Sequence, residues 1–130
     1  MKLLDKVMNR EEGSTFPVLP LKESILYPTT TIPVFVNRKP AVQAVQEAMN
    51  RDRQIFVVSQ TRAVVHPSPA ELYKAGTVAH ILQMMKLPDG SLRILIEGKK
   101  RASVMRYESG EPFYAQVKPI ESVNIPTGES

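Results

Sequence analysis

The stretch Thr77–Glu97, TVAHILQMMKLPDGSLRILIE, decides how this chain reads. Two apolar runs flank Pro88-Asp89-Gly90. Asp-Gly between apolar strands is the strongest short-range hairpin signal, because both central residues of a type I′ turn need positive φ. The stretch therefore predicts a strand over 77–87, a turn centred on Asp89 and Gly90, and a second strand over 92–107. Alternation puts Leu92, Ile94 and Ile96 on one face of the second strand, with Arg93 and Glu97 on the other. In the first strand Val78, His80, Leu82 and Met84 share one face. Ala79, Ile81, Met85 and Leu87 share the opposite one.

Outward from the hairpin the pattern stays β-rich. Residues 113–120 alternate as a strand, with Phe113, Ala115 and Val117 opposite Tyr114, Gln116 and Lys118. Residues 55–58 form an apolar run too short for a helix, which reads as a buried strand. Residues 29–36 read as a further strand. Residues 16–21 are apolar and extended, but Pro17 and Pro20 exclude an ordinary central ladder position. That strand is expected at an edge, or with its prolines turned away from a partner. One segment changes period. Ala41, Val42, Val45, Ala48 and Met49 recur at three- and four-residue spacing, with Pro40 suited to the first helical turn. Ser68-Pro69-Ala70-Glu71 has the form of a capping box, so a short helix is expected through Leu72 and Tyr73, ended by Gly76.

The tally is six or seven strands, one main helix and one short helix. The expected fold class is mainly β with α (α+β), as a small, strongly bent sheet or barrel with the helix on its rim. Residues 1–15 read as a flexible arm, 16–122 as one domain, and 123–130 as a tail or the start of a linker to a missing remainder. The chain has 130 residues, 42% of them hydrophobic, which fits a single globular unit with its own core. Its apolar runs are too short to cross a bilayer as a helix, so no membrane partner is expected. Cysteine is absent, which excludes disulfides and fits a cytoplasmic location.

Familiar catalytic patterns are missing. The sequence holds no phosphate-cradling Gly-rich motif and no Gly-x-Ser-x-Gly elbow. His66 and His80 lack the spacing of metal ligands, so no metal or catalytic residue is assigned. The reading is a binding module, with three surfaces to weigh. The first is the strand carrying Met84, Met85 and Leu87. Neighbours on a strand point to opposite faces, so two adjacent methionines are hard to place in one core, and Met suits adaptable contacts. The second is the apolar loop Ile25-Leu26-Tyr27-Pro28, with Leu26, Tyr27 and Pro28 as its candidate contacts. The third is a cationic set, Arg38, Lys39, Lys99, Lys100 and Arg101, suited to an acidic partner or RNA. Net charge is +4, with 13 acidic residues scattered among 17 basic ones, and ordinary solvation accounts for most of the basic residues.

Several short pieces, in shared order and spacing, resemble the Lon protease amino-terminal domain family. They are Gly76-Thr77-Val78-Ala79, Ile81-Leu82-Gln83, Leu87-Pro88-Asp89-Gly90, Glu97-Gly98 and Arg101-Ala102. Upstream, Pro20-Leu21, Tyr27-Pro28, Ile32-Pro33-Val34-Phe35-Val36, Arg38, Glu47-Ala48-Met49 and Leu72-Tyr73 agree. Lys22-Glu23 and Asn37 depart from the usual pattern while keeping charge and turn tolerance, and Lys99-Lys100 is more basic than usual. The resemblance implies a PUA-like β-barrel fold. It also implies a parent that is a homo-oligomeric cytoplasmic protease. There, ATP and Mg belong to an ATPase module, and a Ser–Lys dyad to a later one. Neither motif occurs here, so no catalysis and no cofactor is expected of this chain. Its implied work is to engage unfolded or damaged proteins and to help assembly. The rivals are a free-standing adaptor domain and a PUA-like RNA-binding module. The second is disfavoured because few aromatics interleave with the basic residues.

Overall fold

The 77–97 hairpin forms, and the rest of the chain is built around it. The computed structural model describes residues 14–22, 25–61, 67–108, 110 and 112–120. The expectations for the arm before Ser14, for the tail at 123–130 and for His66 lie outside these residues. The strands are β1 (Ser14–Leu21), β2 (Thr31–Val36), β3 (Gln54–Ser59), β4 (Ala75–Lys86), β5 (Leu92–Glu108) and β6 (Tyr114–Pro119). The helix α1 spans Lys39–Met49 between β2 and β3. The class is α+β, as the patterning implies.

The six strands lie in the order β2-β5-β4-β3-β1-β6, and β6 also pairs with β5. The long β5 makes this possible. Its first part pairs with β2, through Val34↔Ile94 and Phe35↔Arg93. Its last part pairs with β6, through Ala102↔Pro119 to Glu108↔Tyr114. Pairings therefore close on themselves through β5, β4, β3, β1 and β6, while β2 hangs on the outside of the ring. The result is a bent, partly closed sheet rather than an even barrel. Register shifts near Val78, Leu82 and Met105 supply the bending.

Two apolar clusters fill the two sides of this sheet. One gathers Leu19, Leu21, Val36, Ile55, Val57, Ile81, Ile94 and Ile96 against Ala44, Val45 and Ala48 of α1. The other joins Val18, Phe56, Val58, Leu72, Val78, Ala102, Ala115 and Val117. Because β3 feeds both, all of Ile55–Val58 is buried, which explains its unbroken apolar run. Full burial of such side chains stabilises by about 1.5–3 kcal/mol each.

Two local expectations are corrected, and one left open between two arrangements is decided. First, the hairpin turn is not type I′. The Gly90 N–H donates to the Leu87 carbonyl and the Leu87 N–H to the Ser91 carbonyl, both at 2.9 Å. Gly90 has φ of 91°, whereas Asp89 is not among the residues of positive φ. Pro88 sets the negative φ of a type I turn, and Gly90 alone takes the left-handed position of a three-residue loop. Asp89 Oδ1 accepts from the Ser91 hydroxyl at 2.6 Å and from its N–H at 3.0 Å. These bonds, the hydroxyl's first, hold the Asp89 carboxyl below the usual carboxylate range.

Second, the capping box at Ser68 forms, with the Glu71 carboxylate accepting from the Ser68 N–H at 2.9 Å, but it starts only a 3-10 turn over Pro69–Glu71. Leu72 already bridges Gln60 as extended chain, and Gly76 lies inside β4. A Cβ on Gly76 would overlap the Val57 carbonyl and the Phe56 ring, so glycine is needed there for close approach rather than for ending a helix.

Third, β1 is not an edge strand. Its Ser14–Pro17 half pairs with β6 and its Val18–Leu21 half with β3. The Val18 N–H reaches the Phe113 carbonyl on the β6 side, and the Leu21 carbonyl accepts from Gln60 on the β3 side. By alternation Pro17 faces the β3 side just before the β1–β3 ladder begins at Val18↔Phe56, and Pro20 faces the β6 side beyond the β1–β6 ladder. Each proline lies outside the ladder on the side its nitrogen faces, which is the second of the two arrangements the prolines allowed.

Candidate functional site

The outer half of the β4–β5 ribbon holds the first candidate surface. Strand β3 pairs with β4 only from Thr77 to His80. Beyond that, Arg53 receives the Ile81 N–H at 2.9 Å, and β4 continues paired to β5 alone. Among the described residues, Leu82–Lys86 therefore has one open strand edge. Since the Leu87 N–H points to β5, alternation turns the N–H groups of Met84 and Lys86 outward. Leu82 is the extra residue of a bulge, between the pairs Ile81↔Ile96 and Gln83↔Leu95.

Side chains around this edge are apolar and uncovered. Met85 and Phe35 are each 57% exposed, Leu82 39% and Met84 38%. The pairs Phe35↔Arg93 and Arg93↔Met85 put these three residues in one row across three strands. Val34, Ile94 and Met84 make the parallel row on the opposite face. The two methionines thus point to opposite faces, and both remain open. A groove of about 490 Å³ follows the edge, lined in part by Met49, Arg53, Leu82, Met84, Met85 and Arg93. Leu87 is half-buried at the turn.

Sequence reasoning placed Met84, Met85 and Leu87 here but missed Phe35, Leu82, Met49, Arg53 and Arg93. Phe35 had a signal: it alternates with Val34 and Val36, so one of the two faces had to point away from the core. Leu82 had none, because a bulge is not written in the alternation. Arg53 has φ of 64°, a conformation uncommon outside glycine and asparagine, and nothing in the sequence announces it.

The Tyr27 loop lies elsewhere. Gly98 and Thr30 bond back to back with this loop: the Thr29 N–H donates to Gly98 and the Gly98 N–H to Thr30, each at 2.8 Å. A Cβ on Gly98 would overlap the Tyr27 carbonyl. Leu26 is only 3% exposed and belongs to the core; its carbonyl accepts from the Thr77 hydroxyl at 2.6 Å. It is a core residue, corrected from the expected contact set. Tyr27 is exposed and Pro28 half-buried. A groove of about 420 Å³ beside them is lined by Ile25, Tyr73, Thr77 and Arg101. Ile25 and Tyr73 are more than half exposed and join Tyr27 as its apolar rim.

The five cations do not form one patch. Arg38 lines a third groove of about 510 Å³ between β1 and β2, next to Lys39 at the start of α1. Lys99 pairs with Glu97 at 3.0 Å. Arg101 donates to the Thr77 hydroxyl at 3.4 Å from within the Tyr73 groove, and Lys100 is solvent-exposed. Two tyrosines tie the scaffold together. Tyr107 donates to the Tyr73 carbonyl at 2.6 Å, and burial pushes its phenol well above the usual range. Tyr114 donates to Glu47 of α1 at 3.1 Å, and burial, then that carboxylate, raises its phenol too. Among the described residues, no three His, Asp or Glu side chains gather as metal ligands, and no helix is long and apolar enough to cross a membrane.

The fold and this surface define a β-rich domain that leaves one apolar strand end uncovered. Residues 15–129 match the ATP-dependent protease La (LON) substrate-binding domain, and the chain belongs to that family. It is 40% identical over 113 residues to the Lon protease of Rhizobium meliloti, covering 86% of this chain and 14% of that protein. It is 43% identical over 117 residues to that of Haemophilus influenzae, covering 88% and 15%. The chain thus spans about one-seventh of these relatives. Among solved structures it resembles the N-terminal domain of a Mycobacterium avium complex Lon protease. There the TM-score is 0.68 and the identity 20%, over 88% of this chain and 59% of that one. A Lon N-terminal domain protein from Xanthomonas campestris gives 0.65 and 21%, over 83% and 60%. At such identities these two likenesses concern the fold.

Proposed function

We propose that this chain recruits unfolded or damaged protein segments for a longer ATP-dependent protease and performs no catalysis itself. The observation that carries this reading is the open edge of β4 at Leu82–Lys86, set among exposed Met84, Met85, Leu82 and Phe35. An unfolded segment offers what that edge lacks. Its backbone can pair with the outward N–H and C=O groups of Met84 and Lys86 as an added strand. Its apolar side chains can settle on the methionines, whose flexible thioethers adapt to many shapes. A folded protein has its backbone already paired and its apolar groups buried, so it gains little. The free edge of β2 is a poorer acceptor. The Thr30 carbonyl faces β5, which turns Pro33 outward by alternation, and proline breaks any added ladder there.

On this reading ATP, Mg and the protease chemistry belong to the rest of the longer protein, which acts in the cytoplasm. Each domain binds weakly. Several copies in a homo-oligomer raise avidity by about 10²–10⁴-fold where one substrate spans them.

The test is an NMR titration of the 130-residue chain with a permanently unfolded protein, its folded counterpart and a single-stranded RNA. Shifts centred on Leu82–Lys86 with the unfolded protein alone are expected. Shifts with RNA alone, centred on Lys99–Arg101, would replace this reading with nucleic-acid binding.

A further inference from the structure

We infer that the β4-edge surface selects among unfolded segments, preferring those with acidic residues beside their apolar ones, through Arg53 and Arg93. This rests on the docking role proposed above. The residues lining the groove along the edge include Arg53 and Arg93 and no Asp or Glu. Among the described residues the ion pairs are Lys99–Glu97 and Arg106–Glu108, so neither Arg53 nor Arg93 is ion-paired with a described residue. Asp52, next to Arg53 in sequence, and Asp89, in the β4–β5 turn, take their hydrogen bonds from other residues. Asp52 accepts from the Gln54 N–H at 3.2 Å, and Asp89 accepts twice from Ser91. Lys86, exposed on the same strand, adds a third positive charge.

The placement of each arginine matters more than the count. Arg93 lies in the exposed row between Phe35 and Met85, so a carboxylate reaching it must lie across apolar surface. Guanidinium suits this position, since it is weakly hydrated, stacks on apolar groups and grips a carboxylate with two parallel N–H bonds. Arg53 sits where α1 hands over to β3, in the left-handed backbone region that glycine or asparagine fills with less strain. Its N–H donates to the Ala48 carbonyl at 2.8 Å and its carbonyl accepts from Ile81, which fixes the side chain's root at the mouth of the groove. A segment laid along β4 meets a cation at each side of an apolar floor. Basic flanks are repelled there, and acidic flanks are paired.

The experiment uses the 130-residue chain labelled at its methionine methyl groups. The probes are two synthetic peptides with one apolar core, flanked by Glu in one and Lys in the other, and an oligouridylate. The Glu peptide is expected to shift the Met84 and Met85 methyls and to bind about tenfold tighter at low salt, from two exposed ion pairs. That preference is expected to shrink as salt rises. Arg53→Gln with Arg93→Gln should bring the two peptides to within about twofold. Lys99→Gln with Lys100→Gln removes two charges elsewhere and should leave the preference intact. Equal affinity of both peptides at the same methyls would overturn the selectivity and leave the docking role standing. Loss of preference in the lysine variant would assign it to net charge and overturn the inference. Tighter binding of the oligouridylate at those methyls would overturn it in favour of a nucleic-acid surface. If neither peptide shifts the methyls, the docking role fails and the inference falls with it.

Discussion

The two halves of β4 are made of the same kinds of residue and end up in opposite circumstances. In the inner half Val78, Ala79 and Ile81 are buried, with Ile96 and Ala102 beside them on β5, between β3, β6 and α1. In the outer half Leu82, Met84 and Met85 are open, while Leu92 and Ile94, paired with it on β5, stay buried beside β2. The change comes at one place, where β3 stops pairing at the Gln54↔His80 position and Leu82 bulges. The comparison shows that an apolar strand becomes core or contact surface according to which neighbours reach it. Removing a side chain should therefore damage stability in the inner half and binding in the outer half.

The largest expected effect tests that division directly. Ile81→Ala opens a cavity at a fully buried position and should cost about 3 kcal/mol in chemical denaturation. Met85→Ala, four residues on, should change stability by less than about 0.5 kcal/mol while weakening capture of the unfolded protein. Equal losses at both sites would mean that the outer half is packed as tightly as the inner.

A smaller effect is expected at Gly98, on β5 beside the inner half. A methyl there meets the Tyr27 carbonyl, so Gly98→Ala should cost about 2 kcal/mol and displace the Tyr27 loop. Amide shifts confined to Tyr27–Thr30 and Gly98 would sharpen the comparison, since the Met84 and Met85 methyls should stay in place.

The smallest effect concerns Tyr107, which holds the carbonyl of Tyr73. Tyr107→Phe should cost about 1 kcal/mol, the net value of a hydrogen bond. Its folded phenol is raised above the ordinary value of about 10. Above that pH the unfolded phenol ionises while the folded one keeps its proton, so the folded state binds more protons and stability falls. The wild-type chain should lose stability through this alkaline window, and the phenylalanine variant should lose less, as read by denaturation at stepped pH.

Much of the fold was legible along the chain. The hairpin at Pro88–Gly90, the helix over Pro40–Met49 and the alternation of β5 and β6 follow from local periodicity and turn chemistry, and all three appear in the structure. The candidate site was legible only in part. Adjacent methionines on one strand signalled that one had to leave the core, and Phe35 could have been read the same way. Leu26 could not, because its side chain is buried in a cluster with residues far along the chain, such as Val57 and Ile96.

The sequence by itself determined the strands and the main helix, though not the fate of the segment after Ser68, since those choices depend on neighbours within a few residues and on side-chain period. It also determined that this chain resembles the Lon substrate-binding domains, because that likeness is a matter of residue order. Only the tertiary structure decided that β1 lies inside the sheet with each proline outside the ladder it faces, that β4 outruns β3, and that Arg53 and Arg93 line one groove. Strand partners and their end points are set by long-range packing, and no local pattern records where a neighbouring strand will stop.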